Sequence, residues 1–336
     1  MADIVKDYYT LRDIAAQENP DGTAATVAEI LDRANPMVHD MPFVEGNLDV
    51  GERITVRTKL GNPKWKRYNE HVKPSVTRTT QVDEITGHLE DWSEVDCDLA
   101  DKAKNLGNFL VREAKPKMEA MAQEMSTAYI YASLSDDPKT FNGFFTRLNT
   151  LNDVYMNGEP IVIDAGGTNK GGLASMLFVG WGNSTVYGIY PKGSTAGLKF
   201  EDKGKVTSEN DEGYLDVYRS KFSWDAGLAV KDYRYIVRVA NIDIEALSKI
   251  TPETAKTSDL YMKFMDAVGR IPNPQSVNLR CYVPREVWIA MSKIAAATGN
   301  RPVNQSITQA GFITDVLGVP VAMQDAMLTT ESVVAK

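Results

Sequence analysis

Residues 161–180 read "IVIDAGGTNKGGLASMLFVG". Two apolar runs enclose a glycine-rich turn, Asp164-Ala165-Gly166-Gly167-Thr168-Asn169. Two readings compete. As structure, Gly-Gly between Asp and Asn is what a tight turn uses. As chemistry, glycines let a backbone approach a phosphate while its N–H groups form an anion nest. The first reading makes the stretch one strand–turn–strand among others. The second opens a phosphotransferase.

The turn is similar to the DxGGT phosphate hairpin of the sugar-kinase and actin superfamily, where the aspartate handles metal and the amides handle phosphate. That hairpin sits near a chain's N-terminus, whereas this one begins at residue 161. A second aspartate-glycine motif should follow. Asp225-Ala226-Gly227 is the nearest candidate, and nothing around it completes a nucleotide site. The structural turn is favoured, and the phosphotransferase is kept as the lesser alternative.

Composition agrees. The chain has 336 residues, 43% hydrophobic and 24% charged, which suits a soluble globular protein of about two domains. No run nears the ~18 apolar residues of a membrane span. The N-terminal "MADIVKDYYTLRDIAAQ" is charged and amphipathic, unlike a secretion signal. Cys97 and Cys281 lie far apart and are expected to be free and reduced. His39, His71 and His88 do not cluster, and no zinc spacing, GxSxG, HExxH or P-loop occurs. Little catalytic chemistry in a chain of this length leans toward a structural or binding role. The formal net charge of −8 argues against a free DNA-binding protein.

The charges are segregated. From Glu52 to Arg78 stand Arg53, Arg57, Lys59, Lys64, Lys66, Arg67, Lys73 and Arg78, opposed only by Glu52 and Glu70. From Gln81 to Asp101 stand Asp83, Glu84, Glu90, Asp91, Glu94, Asp96, Asp98 and Asp101, with no lysine or arginine among them. "ERITVRTKL" alternates Ile54, Val56 and Thr58 with Arg53, Arg57 and Lys59, the period of a half-exposed strand. "VKPSVTRTTQV" is a second extended run, with Pro74 tolerated at an edge. Together they predict a long hairpin tipped by Lys64-Trp65-Lys66-Arg67-Tyr68. An isolated two-stranded ribbon is marginal in water, so it should rest on something. Basic residues among aromatics suit a nucleic-acid wing. Docking onto the acidic segment of a neighbouring copy is preferred, because complementary fields set register and partner choice. The expected contact residues are Arg53, Arg57, Lys64, Trp65, Lys66, Arg67, Asp83, Glu84, Glu90 and Asp91.

A long helix follows, expected over about 99–134, with an apolar stripe of Leu106, Leu110, Met118, Met121 and Met125. Pro116 should bend it. "SLSDDPKTFNGFFTRLNTL" should close the helix and pack Phe141, Phe144 and Phe145. "SMLFVGWGNSTVYGIYPKG" reads as two strands joined at Gly182-Asn183-Ser184 with hairpin chemistry. "STAGLKFEDKGKVTSENDEG" is polar and loop-like, and "YLDVYRSKFSWDAGLAVKDYRYIVRVANID" gives two or three strands. The last third mixes helices ("IDIEALSKI", "SDLYMKFMDAVGRI", "PREVWIAMSKIAAATGN") with the strands "SVNLRCYV" and "LGVPVAMQDAM". The class is α+β.

This order of parts resembles the major capsid protein of tailed double-stranded DNA bacteriophages, the Hong Kong 97-type fold. "GWGNSTVYGIYPKGSTAGLKFEDKG", "SWDAGLAVKDYRYIVRVANIDI" and "GFFTRLNTL" are similar to segments of the short-tailed phage branch. The resemblance covers nearly the whole chain. It implies an N-terminal arm (1–45), an extended hairpin loop (46–90), a peripheral domain with the long helix (91–241), an axial domain (242–317) and a strand returning to the peripheral domain (318–336).

It further implies a non-enzymatic virion subunit with no cofactor or metal. Such a subunit assembles in the host cytoplasm into an icosahedral shell of pentamers and hexamers. Its partners would be portal, scaffolding and decoration proteins and packaged double-stranded DNA held by weak non-specific contact, with no membrane. A removable N-terminal scaffolding segment is not expected, because Met1 runs quickly into folded-looking sequence. Covalent crosslinking through Lys64, Lys66, Asn62 or Asn69 is not expected either.

Overall fold

The computed structural model describes residues 35–59, 61–102, 106–151, 154–155, 159–168, 171–210, 213–251, 254, 258–297, 305–307 and 313–335. The expected N-terminal arm lies mostly outside them. In chain order the described elements begin with α1 (Met37–Asp40), β1 (Phe43–Glu45), β2 (Gly51–Lys59), β3 (Arg78–Ile85) and β4 (Gly87–Asp96). Next come α2 (Cys97–Ala100), α3 (Leu106–Tyr131), α4 (Phe144–Arg147), β5 (Val154–Tyr155), β6 (Glu159–Pro160) and β7 (Val162–Asp164). Strands β8 (Leu173–Trp181), β9 (Val186–Tyr190), β10 (Leu198–Asn210), β11 (Gly213–Val230) and β12 (Ile236–Asp243) follow. The remainder is α5 (Ile244–Ser248), α6 (Leu260–Arg270), β13 (Asn278–Val283), α7 (Arg285–Ala297), β14 (Gln305–Ile307), β15 (Ile313–Val316) and β16 (Val319–Met323).

The chain forms two compact units, one holding residues 88–125 and 197–225, the other 35–87, 126–196 and 226–335. Helix α3 and strand β11 each run from one unit into the other.

In the first unit β10 and β11 make a long antiparallel ladder, from Leu198 opposite Trp224 to Asn210 opposite Gly213. Strand β4 pairs with β11. The stretch expected to be a loop is therefore a strand. Among the described residues it pairs with β11 alone, its residues are mostly polar, and a bulge between Asp202 and Gly204 breaks the register. A small core gathers Val95, Leu99, Ala100 and Phe109, with Leu110 and Tyr218 against it.

Helix α3 is described over Leu106–Tyr131, and α2 is a separate turn ending at Ala100 and capped by Asp96, whose carboxylate accepts from the Asp98 N–H, so the expected single helix from about residue 99 is interrupted. Pro116 lies inside α3 without ending it. The buried stripe is Phe109, Met121 and Met125, whereas Leu110 and Met118 are half-buried. The side chain of Leu106 lies outside the described residues.

In the second unit β8 is the central strand. It pairs antiparallel with β12 on one side and β13 on the other, and all nine of its residues are buried. Strand β13 continues in parallel to β16, then antiparallel to β15 and β14. Strand β9 pairs antiparallel with the end of β11 and parallel with β1. The expected 182–184 hairpin is a corner: β8 and β9 meet only at Trp181 and Val186, because each strand spends its ladder on other partners. Gly188 makes room for Met41 and β1, since a Cβ there would stand 2.6 Å from the Met41 sulfur and 2.7 Å from the Phe43 ring. The main core joins Phe178, Val237 and Cys281 of the sheet to Phe264 of α6 and Met291 of α7. The described residues of 242–317, the expected axial domain, belong to this unit, and β13 joins its sheet. Cys97 and Cys281 are both free and buried.

Candidate assembly interface

Strands β2 and β3 form the predicted hairpin, with Ile54 opposite Val82 and Arg57 opposite Thr79, but the second strand begins only at Arg78, and residues 72–77 of the expected extended run carry no ladder. Its root rests on the second unit: Ile54 is buried with Tyr187, Ile189 and Ala229. Beyond the root, residues 62–83 are exposed throughout. The far end is a turn in which the Glu70 N–H donates to the Arg67 carbonyl and the Arg67 N–H donates to the Glu70 carboxylate. Asn69 takes the left-handed conformation there (φ 65°), which Asn tolerates better than most residues. Trp65 and Tyr68 are fully exposed, and Lys64, Lys66 and Arg67 stand beside them in sequence.

Asp83, Glu84, Glu90, Asp91 and Glu94 have cation partners inside their own units. Arg53 stands opposite Asp83 and grips it with two bonds, Nε to Oδ1 at 2.6 Å and Nη2 to Oδ2 at 2.7 Å. Glu84 is bound by Arg147. In the first unit Glu90 accepts from Lys221 at 2.6 Å, from His88 at 2.9 Å and from Trp92 Nε1 at 2.6 Å. These donors, Lys221 first, hold its carboxyl down to about 2. Asp91 accepts from Lys117 at 3.3 Å, and Glu94 from Arg219 at 2.7 Å. Of the ten expected contact residues, then, Arg53, Asp83, Glu84, Glu90 and Asp91 are engaged within the chain. The side chain of Arg57 lies outside the described residues. Lys64, Trp65, Lys66 and Arg67 stand together at the open tip.

The glycine-rich turn is not a hairpin. Strands β7 and β8 do not pair with each other; both pair with β12, β7 in parallel and β8 antiparallel. The Gly166 N–H, the natural anion donor, instead binds the Asp164 carboxylate at 2.9 Å. The Gly167 N–H binds the Asn241 carbonyl, and Asn241 Nδ2 donates to the same Asp164 oxygen. The amides of Ala165, Gly166 and Gly167 are already used, and a Cβ on Gly167 would stand 2.5 Å from that carbonyl oxygen. Asn169 and Lys170 lie outside the described residues. The turn is a structural crossover.

Among the described residues no helix is long and apolar enough to cross a membrane, and no group of His, Cys, Asp and Glu could hold a metal ion.

A family model described as "Major capsid protein GP7" matches residues 19–335. A chain of the near-atomic structure of bacteriophage Epsilon15 aligns over 99% of both chains with a TM-score of 0.78 and 27% identity. The capsid of bacteriophage JBD30 shares the fold, with a TM-score of 0.54 over 92% of this chain and 98% of its own, at 10% identity. No curated protein sequence matches. The tailed-phage capsid fold expected from the order of parts is the fold observed, and the Epsilon15 likeness fits the short-tailed branch. Neither the nucleic-acid module nor the phosphotransferase receives support from these relatives.

Proposed function

The chain belongs to the major capsid protein GP7 family and forms the shell of a virion, and from that premise we propose that its hairpin tip is the element that ties each copy to the next. The observation that carries this is the tip itself. Two whole aromatic side chains, Trp65 and Tyr68, stand in solvent beside Lys64, Lys66 and Arg67, at the end of a ribbon with no core of its own. Trp, Tyr and Arg are the residue types that dominate interface energetics once desolvated, and exposed ion pairs alone contribute only ~0.2–1 kcal/mol each. The docking site on the neighbouring copy is therefore an apolar or aromatic-accepting recess with acidic residues at its rim, not the acidic strand alone.

The domain roles follow the same reading. Residues 46–90 act as the extended loop, α3 as the spine of the peripheral domain, and 242–317 as the axial domain around pentamer and hexamer axes. The subunit works by self-association without catalysis, assembles in the host cytoplasm, and meets portal, scaffolding and decoration proteins there. A net charge of −8 suits a container that holds packaged double-stranded DNA loosely. The test is the triple variant Lys64→Glu, Lys66→Glu, Arg67→Glu. Folded subunits that no longer form shells support the reading. Normal particles overturn it.

A further inference from the structure

The ladder of β2 and β3 sets Glu52 directly opposite Glu84. Like charges facing each other across a ladder repel. Both residues are buried, 7% and 5% exposed, where water screens that repulsion least. A two-stranded ribbon would not keep this arrangement on its own. The body of the second unit compensates it with one cation for each acid.

Arg147, the last residue of α4, donates Nη1 to Glu84 Oε1 at 2.6 Å and Nη2 to Oε2 at 2.7 Å. Its Nη2 also reaches the carbonyls of Asn142 and Leu228, and its Nη1 the Tyr233 hydroxyl. Lys231 Nζ lies 3.4 Å from Glu52 Oε1 and over the Tyr187 ring, while the Tyr187 hydroxyl donates to Glu52 Oε2 at 2.8 Å. A guanidinium fork fixes direction as well as distance, which an apolar contact or a lysine does not. The root is also close-packed, since a Cβ on Gly51 would stand 2.1 Å from the Glu84 carbonyl oxygen. Farther out, residues 78–83 of β3 are exposed.

We propose that Arg147 is a positioning residue for shell assembly: by holding Glu84 beside the buried like charge of Glu52, it aims the hairpin so that the tip meets the neighbouring copy. This rests on the reading of the tip given above. Two kinds of variant separate the claims. The double variant Glu84→Met with Arg147→Met removes both charges together, a change that is often neutral for stability. It is expected to melt near the wild type, to exchange the amide hydrogens of 78–85 at least about tenfold faster, and to lose most shell formation. Wild-type exchange, or faster exchange with wild-type shell yield, overturns the positioning role. If the double variant does not fold, Arg147→Lys decides: it keeps the charge and loses the fork. Reduced shell yield with intermediate exchange supports the proposal, and wild-type behaviour overturns it. The tip variant at Lys64, Lys66 and Arg67 keeps the two readings apart. Normal shells from that variant sink the tip reading, whereas loss of shells there with wild-type behaviour of the Arg147 variants sinks only the positioning role.

Discussion

Arg238 Nη2 lies 2.9 Å from Glu331 Oε2, and both side chains are 6% exposed. This pair fastens the C-terminal segment to the central sheet. Ser175 donates to the same carboxylate oxygen at 2.5 Å, Tyr131 donates to the other, and Arg238 stacks on the Phe145 ring while donating to the Leu148 carbonyl. Removing one member strands a buried charge. Glu331→Leu is expected to destabilise the subunit by about 3–5 kcal/mol, and the double variant with Arg238→Met to recover most of that loss. Denaturant unfolding of dispersed subunits checks both. Equal losses in the single and double variants would mean the pair is not the source.

The spine helix makes a second prediction. Phe109 is 3% exposed and sits in the first unit's core, whereas Leu110 lies only partly against it. Phe109→Ala should cost about 3–5 kcal/mol, and Leu110→Ala clearly less. Melting temperatures of the two variants rank them. The reverse order would place the buried face of α3 elsewhere.

A third prediction concerns pH. His88 Nε2 contacts Glu90 at 2.9 Å and its Nδ1 contacts Asp225 at 2.6 Å, with Lys199 also on Asp225 and Lys221 on Glu90. The hydrogen bonds to Glu90 and then Asp225 raise the imidazole above its ordinary value. A group whose pKa is raised by folding stabilises fully below its unfolded value, near about 6.5, and loses that contribution as pH climbs through the folded value. The melting-temperature advantage of wild type over His88→Gln should therefore be full in mild acid and shrink on the alkaline side. A pH-independent difference would leave His88 with a packing role only.

Asp164→Ala is the fourth. It removes the acceptor shared by the Gly166 N–H and Asn241 Nδ2. A loss of about 1–3 kcal/mol is expected, with shells still forming. Hydrolysis of a nucleoside triphosphate by wild type but not by this variant would reopen the phosphate chemistry.

Several features were legible in the sequence because their causes are local. Alternation of Ile54 and Val56 with Arg53 and Arg57 marked β2, and the Phe141, Phe144, Phe145 cluster marked the buried turn after α3. Strand β10 was not legible, since its mostly polar residues show no continuous apolar face. The cation partners within the acidic run were hidden for a different reason. Lys117, Arg219 and Lys221 come from distant parts of the chain, and only the fold brings them to Asp91, Glu94 and Glu90. The β8–β9 corner was missed because Gly182-Asn183-Ser184 suits a hairpin turn and a sharp bend equally well. Phe109 was passed over because the stripe was anchored on Leu and Met.

The central claim is that the exposed hairpin tip becomes buried against another copy of the chain. Hydroxyl-radical footprinting of Trp65 and Tyr68, read by mass spectrometry in dispersed subunits and in assembled shells, tests it most directly. Both side chains should label strongly when dispersed and be protected in the shell, with exposed Tyr214 of the β10–β11 ladder serving as a reference in the dispersed state. Labelling of Trp65 and Tyr68 that is as strong in the shell as in the free subunit would contradict the account.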